Sequence, residues 1–293
     1  MILFILSYAE FDPVGVFCLH GEDEQIDGVI ILDDYQQPVD SLGVNIRIHN
    51  GLNGQLPPEI GYLVDCRSVR LENHISLTGQ LPQTMGNMTY LVNVALLLNG
   101  LSGELPGSLF RLKNLNTIQI QHSWGKNWTL PSSVDVIEDT QLERLLLENS
   151  FVGTIPSWIA KLEQLQTLDL PMNKFEGTIP ETIGDLSSLK YLNLMGNNFT
   201  ETIPSSLGKL EAIEVLILGS NALQGELPAS IGNLRRLQLL DVGSNELTST
   251  IPSSFDDLES LSKCTSSNRT SSPQTILTTP NIFPLLFFRI PRA

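Results

Sequence analysis

Prolines recur along most of this chain at a nearly constant interval. Each follows a Leu or an Ile, and successive members of the series are separated by 24 or 25 residues. The series consists of Pro57, Pro82, Pro106, Pro131, Pro156, Pro180, Pro204, Pro228 and Pro252. A period of this length constrains the fold more than any local pattern, because it predicts a solenoid in which each repeat forms one coil and contacts only its neighbours.

The residues between the prolines show two hydrophobic periods. Before each proline the apolar residues alternate in steps of two, as Leu192 and Leu194 do, which indicates a short strand. After each proline they come three and six positions later, such as Ile183 and Leu186 after Pro180, which indicates a tight helical turn. One repeat cannot bury its apolar face alone, so the sequence predicts a stacked α/β repeat fold.

The repeat resembles that of leucine-rich repeat proteins of the plant-type 24-residue class, which occurs in receptor-like protein and receptor-like kinase ectodomains of plants and algae. The resemblance rests on the pattern LxxLxxLxLxxNxFxGxIPxxIGxL, which spans residues 46–261 in nine repeats. It implies a curved solenoid with parallel strands on the concave face and short 3-10 or irregular helices on the convex face. It also implies that ligands bind on the concave face.

Most repeats carry an asparagine at a position that should point inward. A buried amide can satisfy backbone groups left unpaired where the chain turns off the strand, and leaving such a group unpaired costs about 1–3 kcal/mol. We therefore predict an asparagine ladder with a structural role, not a binding role. Its predicted members are Asn50, Asn99, Asn149, Asn173, Asn197, Asn221 and Asn245.

Both ends of the chain depart from the repeat. Residues 1–45 hold nine Asp or Glu and no Lys or Arg, and are predicted to form an acidic leader and a cap. In the ectodomains that this chain resembles, a cysteine at the place of Cys18 pairs with an upstream cysteine, which this chain lacks. Residues 262–293 are rich in Ser and Thr and are predicted to be a disordered or wrongly assigned tail, with a membrane-proximal anchor as the alternative. MILFIL at the start is too short for an ordinary signal peptide, and no apolar stretch predicts a transmembrane helix.

Composition and motifs argue against several functions. The formal net charge is −15 without a basic stripe, which argues against nucleic acid and anionic membrane surfaces as partners. The histidines show neither metal-ligand spacing nor a paired nucleophile, and no phosphate-binding glycine loop occurs. We therefore predict a protein that is not an enzyme and uses neither a cofactor nor a metal. Cys66 and Cys264 occupy core positions of their repeats and are predicted to be buried free thiols.

Two columns of strand residues are predicted to point onto the concave face. The central column is Arg47, Arg70, Ala95, Gln119, Leu146, Asp169, Asn193, Ile217 and Asp241, and the flanking column is Thr117, Arg144, Thr167, Tyr191, Val215 and Leu239. An exposed apolar patch with polar surroundings is typical of a contact site, although uncovered residues of a terminal coil would look the same. The predicted ligand-binding residues on this face are Asp169, Tyr191, Asn193, Met195 and Ile217.

The fourth repeat is irregular within HSWGKNWTLP, residues 122–131. Ser123 takes the asparagine position, and the segment is one residue longer than in a regular repeat. Insertions in solenoids form loops that often lie on the binding side, and exposed tryptophans often anchor interfaces. Trp124, Lys126 and Trp128 are therefore predicted to contact a ligand. The alternative is that both rings fold inward and fill the space left by the missing asparagine.

Compartment and function follow from these features as hypotheses. Four N-glycosylation acceptor patterns begin at Asn87, Asn127, Asn198 and Asn268, and favour an extracellular or membrane-attached protein with the repeats outside. The leading hypothesis is a non-enzymatic, receptor-like module that binds a protein, peptide or carbohydrate ligand on its concave face. Membrane attachment would require a segment absent from this chain. The alternatives are a secreted inhibitor of polysaccharide-degrading enzymes, similar to polygalacturonase inhibitors, and an intracellular (cytoplasmic) leucine-rich repeat scaffold.

Overall fold

The structure is a computed structural model that describes residues 16–18, 29–31, 44–49, 52–125, 127–134, 140–248 and 251–265. Its main element is one twelve-stranded sheet. The first three strands pair antiparallel, and every later pair, beginning with Val44–His49 and Cys66–Glu72, is parallel. In sheet order the strands are Val16–Cys18, Val29–Ile31, Val44–His49, Cys66–Glu72, Asn93–Leu97, Thr117–Gln121, Arg144–Leu147, Thr167–Asp169, Tyr191–Asn193, Val215–Ile217, Leu239–Asp241 and Lys263–Thr265.

Short 3-10 helices lie on the side of each coil away from this sheet. Every helix within the described residues begins directly after a proline of the repeat series, because proline lacks an N–H and its ring holds φ near the helical value. The helices are Pro58–Tyr62, Gln83–Asn87, Gly107–Arg111, Ser157–Lys161, Glu181–Asp185, Ser205–Lys209, Ala229–Asn233 and Ser253–Asp257. In the coil that contains Pro131, the described residues form no helix.

A second set of short strands lies between the sheet and the helices. These strands pair with one another in parallel, and Gln224 also forms a parallel bridge with Thr202. They are Gly54–Gln55, Leu77–Thr78, Val152–Gly153, Lys174–Gly177, Asn198–Phe199, Gln224–Gly225 and Glu246–Leu247. The predicted α/β leucine-rich repeat solenoid, with parallel strands and short 3-10 helices, is confirmed.

The core runs through the centre of the stacked coils. In one coil, Leu192, Leu194, Phe199 and Leu207 are all fully buried, and each contributes about 1.5–3 kcal/mol when removed from water. Successive coils also approach closely at the helices. A Cβ on Gly184 would lie 2.2 Å from a backbone oxygen in the next coil, so this position requires glycine.

The asparagine ladder is present in the interior. Asn197 is typical: its Oδ1 accepts a hydrogen bond from the N–H of Phe175 at 3.0 Å, and its Nδ2 donates to the carbonyls of Leu170 and Leu194 at 2.8 and 3.0 Å. Asn197, Asn221 and Asn245 therefore bond both their own coil and the preceding one, while the amides of Asn99 and Asn173 bond the preceding coil. The buried members are Asn99, Asn173, Asn197, Asn221 and Asn245. Asn50, also predicted to belong to the ladder, lies outside the described residues.

The prediction that Asn149 points inward is wrong. Asn149 is exposed with a φ of 73°, and Ser150 takes the ladder position, where its hydroxyl donates to the carbonyl of Ser123 at 2.8 Å. Ser150 lies five positions after Leu145 of its strand, just as Asn173 lies five positions after Leu168. The fifth repeat is therefore one residue short in the interval between its ladder position and Pro156, and not in the interval before the ladder position. Left-handed backbone favours Asn over most residues, which explains Asn149 at this turn.

His74 fills the ladder position of the second coil. Its ring is buried, and its Nδ1 accepts a hydrogen bond from the N–H of Leu52 at 3.1 Å. Its own backbone N–H donates to Oδ1 of Asn99 at 3.1 Å. The histidine therefore takes over the acceptor role that an asparagine amide has in other coils, and its place in the fold is structural.

Candidate ligand-binding surface

The two concave columns predicted from the period are the columns observed in the sheet. Arg47 pairs with Arg70, and the central column continues without a shift through Asp169, Asn193 and Ile217 to Asp241. The flanking column follows the same strand pairs from Thr117 through Leu239. Because neighbouring strands lie about 4.8 Å apart, a ligand that crosses the strands meets one member of each column in every coil.

Asp169 and Asn193 form a hydrogen-bonded pair on neighbouring strands. Asn193 Nδ2 donates to Asp169 Oδ1 at 2.9 Å, and Asn193 Oδ1 accepts from the N–H of Met195 at 3.0 Å. Asn193 is largely buried by these contacts, while Asp169 and Met195 remain partly exposed. The amide of Asn193 therefore orients the Asp169 carboxylate, and Asn193 offers little surface of its own to a ligand.

Burial shifts the titration of two groups on this face. The pKa of Asp169 is raised, chiefly by desolvation, with the hydrogen bond from Asn193 acting in the opposite direction; Glu148 raises it and Arg144 lowers it. The pKa of Tyr191 is raised by desolvation first and by the negative charge of Asp169 second. The strand environment thus disfavours the negative charge of Asp169, and an approaching cation would relieve that cost.

Beside this pair lies a strip of apolar side chains, which we call the concave apolar strip: Tyr191, Val215, Ile217 and Leu239. All four are partly exposed, and they occupy neighbouring positions on three successive strands. Asp241 closes the far end of the strip. Its Oδ1 accepts from the N–H of Gly243 at 2.9 Å, and the carboxylate lies over Gly219, where a Cβ would come within 3.1 Å of it.

The two predicted ligand-binding tryptophans have opposite environments. Trp128 is 0% exposed and stacks on Phe151 with ring centroids 5.8 Å apart, at the end of a row of stacked rings that continues through Phe175 and Phe199. Its Nε1 donates to the hydroxyl of Ser123 at 3.1 Å, at the ladder position of that coil. Trp128 therefore belongs to the core, as the alternative predicted, and is removed from the candidate contact surface.

The irregularity of the fourth repeat is larger than its length suggests. Ten positions separate Ile118 from Trp128, against seven between Leu168 and Phe175, which hold the corresponding places in a regular coil. Only three positions then remain before the repeat proline, against five in the regular coil. Three inserted residues are thus partly offset by two missing ones, so the net count shows only one.

Trp124 is displayed on the inserted turn. It is 63% exposed, and its N–H donates to the carbonyl of Asn99 at 2.7 Å. Together with Leu98, His122 and Ser123 it lines a shallow depression of about 430 Å³. Leu98 and His122 were not predicted to line a contact surface. Each directly precedes a ladder position and has left-handed backbone there, and this place in the repeat is the signal that they lie outside the core. Lys126 lies outside the described residues.

Three of the predicted glycosylation sites can be located. Asn87, Asn127 and Asn198 are all exposed, and Asn198 projects outward between the buried Asn197 and Phe199. Asn268 lies outside the described residues. Exposure leaves these three side chains accessible to a modifying enzyme, and their glycosylation stays a prediction.

The remaining reactive groups of the described residues form no further site. Cys66 is buried and Cys264 is partly buried; desolvation raises the pKa of each thiol to about 11, with the charge of Asp241 adding to the shift at Cys264. Within the described ranges, no group of His, Cys, Asp and Glu side chains could hold a metal ion. None of the helices in that part of the chain is long and apolar enough to cross a membrane.

The fold, the ladder and the repeat pattern define the class: the chain is a leucine-rich repeat solenoid, and its repeats match those of the plant-type 24-residue class. Residues 174–279 match the family described as a leucine-rich repeat region, and residues 140–199 match the family described as leucine rich repeat. Among proteins of curated function, none matches the chain in sequence.

The chain is similar to solved ectodomains of plant receptors. It is 30% identical to the plant peptide hormone receptor RGFR1, solved with RGF2, at a TM-score of 0.67, covering 74% of this chain and 34% of that one. It is 31% identical to the ectodomain of the membrane receptor kinase GASSHO1/SCHENGEN3 of Arabidopsis thaliana, solved with CASPARIAN STRIP INTEGRITY FACTOR 2, at a TM-score of 0.68, covering 77% and 27%.

A third similar structure is the Arabidopsis receptor kinase HAESA, solved with the peptide hormone IDA and the co-receptor SERK1. The identity is 27% and the TM-score is 0.66, with 74% of this chain and 36% of that chain covered. The chain therefore spans about a third of the length of the receptor chains that it matches.

Proposed function

We propose that this chain is a receptor-like recognition module that binds an extended peptide across its concave face. The observation that carries the proposal is the concave apolar strip, whose partly exposed side chains lie between Asp169 and Asp241 on the four successive strands from Thr167–Asp169 to Leu239–Asp241. The receptors RGFR1 and HAESA, which this chain resembles, are solved with peptide ligands, which supports a peptide as the ligand class.

The shape of the surface favours an extended ligand over a compact one. The strip is a row of side chains from separate strands, and none of its residues lines the depression beside Trp124. A peptide that lies across the strands would contact successive members of both columns and would bury their exposed apolar area. Burial of apolar surface is the main favourable contribution in such complexes.

A displayed library of random peptides tests the proposal. Peptides enriched on the unmodified protein should lose binding to the variant Ile217→Arg, which places a long charged side chain in the middle of the strip. Ala212→Arg adds the same side chain to the flank between a 3-10 helix and the next strand, and should bind the same peptides as the unmodified protein. No enrichment, or equal loss with both variants, would contradict the proposal.

We also propose that the repeats lie outside the cell. The support is the exposure of Asn87, Asn127 and Asn198 within acceptor patterns, together with the similarity to ectodomains of plant membrane receptors. The intact mass of the protein from its native host, before and after enzymatic removal of N-glycans, checks this. A mass that does not fall would contradict the location.

A further inference from the structure

Within the proposed peptide-binding function, we infer the chemistry of the peptide. We propose that it carries two basic residues four positions apart with an apolar residue midway between them, and that Asp169 and Asp241 bind the two cations. The inference depends on the charges that bracket the concave apolar strip, and on the distance between them.

The spacing follows from sheet geometry. Asp169, Asn193, Ile217 and Asp241 are consecutive members of the central column, so the two carboxylates are three strand spacings apart, about 14 Å. An extended peptide advances about 3.3 Å per residue, and its alternate side chains point to one face. Residues i and i+4 therefore span about 13 Å and face the sheet together with residue i+2.

The middle residue of such a peptide would lie above the strip. At half the distance between the carboxylates it falls between Asn193 and Ile217 of the central column, next to Tyr191 and Val215 of the flanking column. Three of these four side chains present apolar surface that is partly exposed, and the amide of Asn193 is already occupied by Asp169 and Met195. An apolar side chain fits this position, and a charged one would be desolvated there without a partner.

Both carboxylates are available for a cation. Among the described residues, neither Asp169 nor Asp241 forms an ion pair, and each accepts a single hydrogen bond from a neutral donor, Asn193 Nδ2 or the N–H of Gly243. A second carboxylate oxygen on each aspartate thus remains free to accept from Lys or Arg, and charge-assisted bonds of this kind are stronger than neutral ones.

Two basic side chains of the protein lie close to Asp169 and Asp241, but not between them. Arg144 lies on the strand before that of Asp169, and Lys263 lies on the strand after that of Asp241. Each is diagonal to its aspartate, with about 7–8 Å between the Cα atoms. Both are exposed, and they occupy the flanking column on the outer side of each carboxylate. They reduce the attraction for a third basic residue beyond the two proposed, so the surface favours a peptide whose basic residues are limited to the bracketed spacing.

Synthetic peptides with blocked ends test the inference directly. The matching probe is Gly-Ser-Arg-Ser-Leu-Ser-Arg-Ser-Gly, and its isomer Gly-Ser-Arg-Ser-Leu-Arg-Ser-Ser-Gly has the same composition with the basic residues three positions apart. We expect the matching probe to bind about fivefold to tenfold more tightly in calorimetric titration at low salt. The preference should shrink as salt is raised, because exposed charge pairs are screened.

Charge-removing variants identify the carboxylates. Asp169→Asn and Asp241→Asn should each weaken the matching probe about threefold to tenfold and should leave a probe with leucine and two glutamines in place of the arginines unaffected. Glu163→Gln removes an exposed charge on the convex side and should change neither. Equal binding of the two isomers, or equal loss with Glu163→Gln, would overturn the inference.

The library described above separates this inference from the function on which it depends. Peptides that require Ile217 but lack the basic, apolar, basic spacing, and that bind Asp169→Asn normally, would overturn the inference and leave the peptide-binding function standing. A library with no enriched peptide would contradict the function itself, and the inference with it. Enriched peptides that show the spacing and lose binding to both aspartate variants would support both.

Discussion

At the scale of single residues, the ladder position decides how each coil turns away from the sheet. Asn197 satisfies one N–H of the preceding coil and carbonyls in both coils, although it lies in an otherwise apolar interior. The residue directly before each buried ladder asparagine has left-handed backbone, as at Met172, Gly196 and Ser220. The amide therefore stabilises a turn that a hydrophobic residue could fill but could not hydrogen-bond.

Asn197→Ala should be strongly destabilising. The substitution leaves the N–H of Phe175 and the carbonyl of Leu170 buried without their partner, and we expect a loss of about 2–3 kcal/mol in the free energy of unfolding. Urea denaturation followed by circular dichroism measures it. Asn198→Ala is the matched control, since the side chain is exposed and should contribute less than about 0.5 kcal/mol. Similar losses in both variants would refute the role of the ladder.

Glu201→Gly should stabilise the protein. Glu201 has a φ of 63° at a turn where Gly153, Gly177 and Gly225 stand in other coils, and left-handed backbone costs a residue with a Cβ about 1 kcal/mol. The urea midpoint of the variant should rise. Glu176→Gly, on an exposed strand residue without positive φ, should lower it, because glycine only adds freedom to the unfolded chain there. A midpoint that falls in both variants would show that the turn is not strained.

At the scale of elements, one coil shows how an irregular turn is accommodated. The inserted residues before Trp128 place an indole ring at the end of the phenylalanine row, and the ring nitrogen bonds the serine that replaces the ladder amide. The same insertion puts Trp124 on the outside of the turn. A single rearrangement therefore fills a core position and exposes an aromatic side chain on the turn that follows the strand Thr117–Gln121.

The two tryptophans should respond differently to truncation. Trp128→Ala leaves a large cavity in the stacked row and should lower the free energy of unfolding by about 3–5 kcal/mol. Trp124→Ala should change it by less than about 0.5 kcal/mol, because the ring is mostly in solvent. Thermal melting of both variants provides the comparison. A clear loss of stability in Trp124→Ala would mean that the exposed ring supports the turn.

The strand Thr167–Asp169 carries a residue whose charge opposes folding. Burial raises the pKa of Asp169 in the folded protein above its ordinary value. At low pH the carboxyl is neutral in both the folded and the unfolded protein, and its contribution to stability is complete. That contribution is lost as the pH rises through the folded pKa, because the charged carboxylate is less favourable in the folded protein. Asp169→Asn should therefore be more stable than the unmodified protein at pH 7, with the difference closing toward pH 4. Urea midpoints across this range measure the effect, and a difference that widens on acidification would reverse the assignment.

At the scale of the whole molecule, the solenoid is a one-dimensional array. Each coil contacts only the coil before it and the coil after it, and within the described residues the strand Lys263–Thr265 pairs on one side only. Interior coils such as that of Asn197 are covered on both faces. Stability in such an array is close to a sum over coils and their interfaces, so the coils near an uncovered end open first.

Thiol labelling should follow this order. Burial raises the pKa of Cys66 and Cys264 to about 11, so both should react slowly with iodoacetamide at pH 8 in the folded protein. With increasing urea, Cys264 should be labelled before Cys66, which has a paired strand on each side. Mass spectrometry of Cys18→Ser protein resolves the two sites. Simultaneous labelling would indicate that the coils unfold as one unit.

The sequence alone determined the architecture and the register of this protein. A period of 24 or 25 residues, with alternation before each proline and spacing of three after it, admits only stacked coils, and equal coil lengths bring Asp169, Asn193 and Ile217 into one column. Side-chain direction in a strand alternates strictly, so the concave residues followed from the inward leucines without further information.

Which residues of the irregular coils are buried became clear only from the packing of neighbouring coils. Counting back from Pro156 placed Asn149 in the ladder, because that repeat lacks one residue between the ladder position and its proline. The sequence left the rings of Trp124 and Trp128 undecided, because a compensated insertion and deletion leave almost no trace in the length of a repeat. Which residue fills the core depends on the volume and the hydrogen-bonding groups that the neighbouring coils present, here the ring of Phe151 and the carbonyls around Ser123. Those groups come from sequence positions more than 20 residues away, so no local pattern contains them.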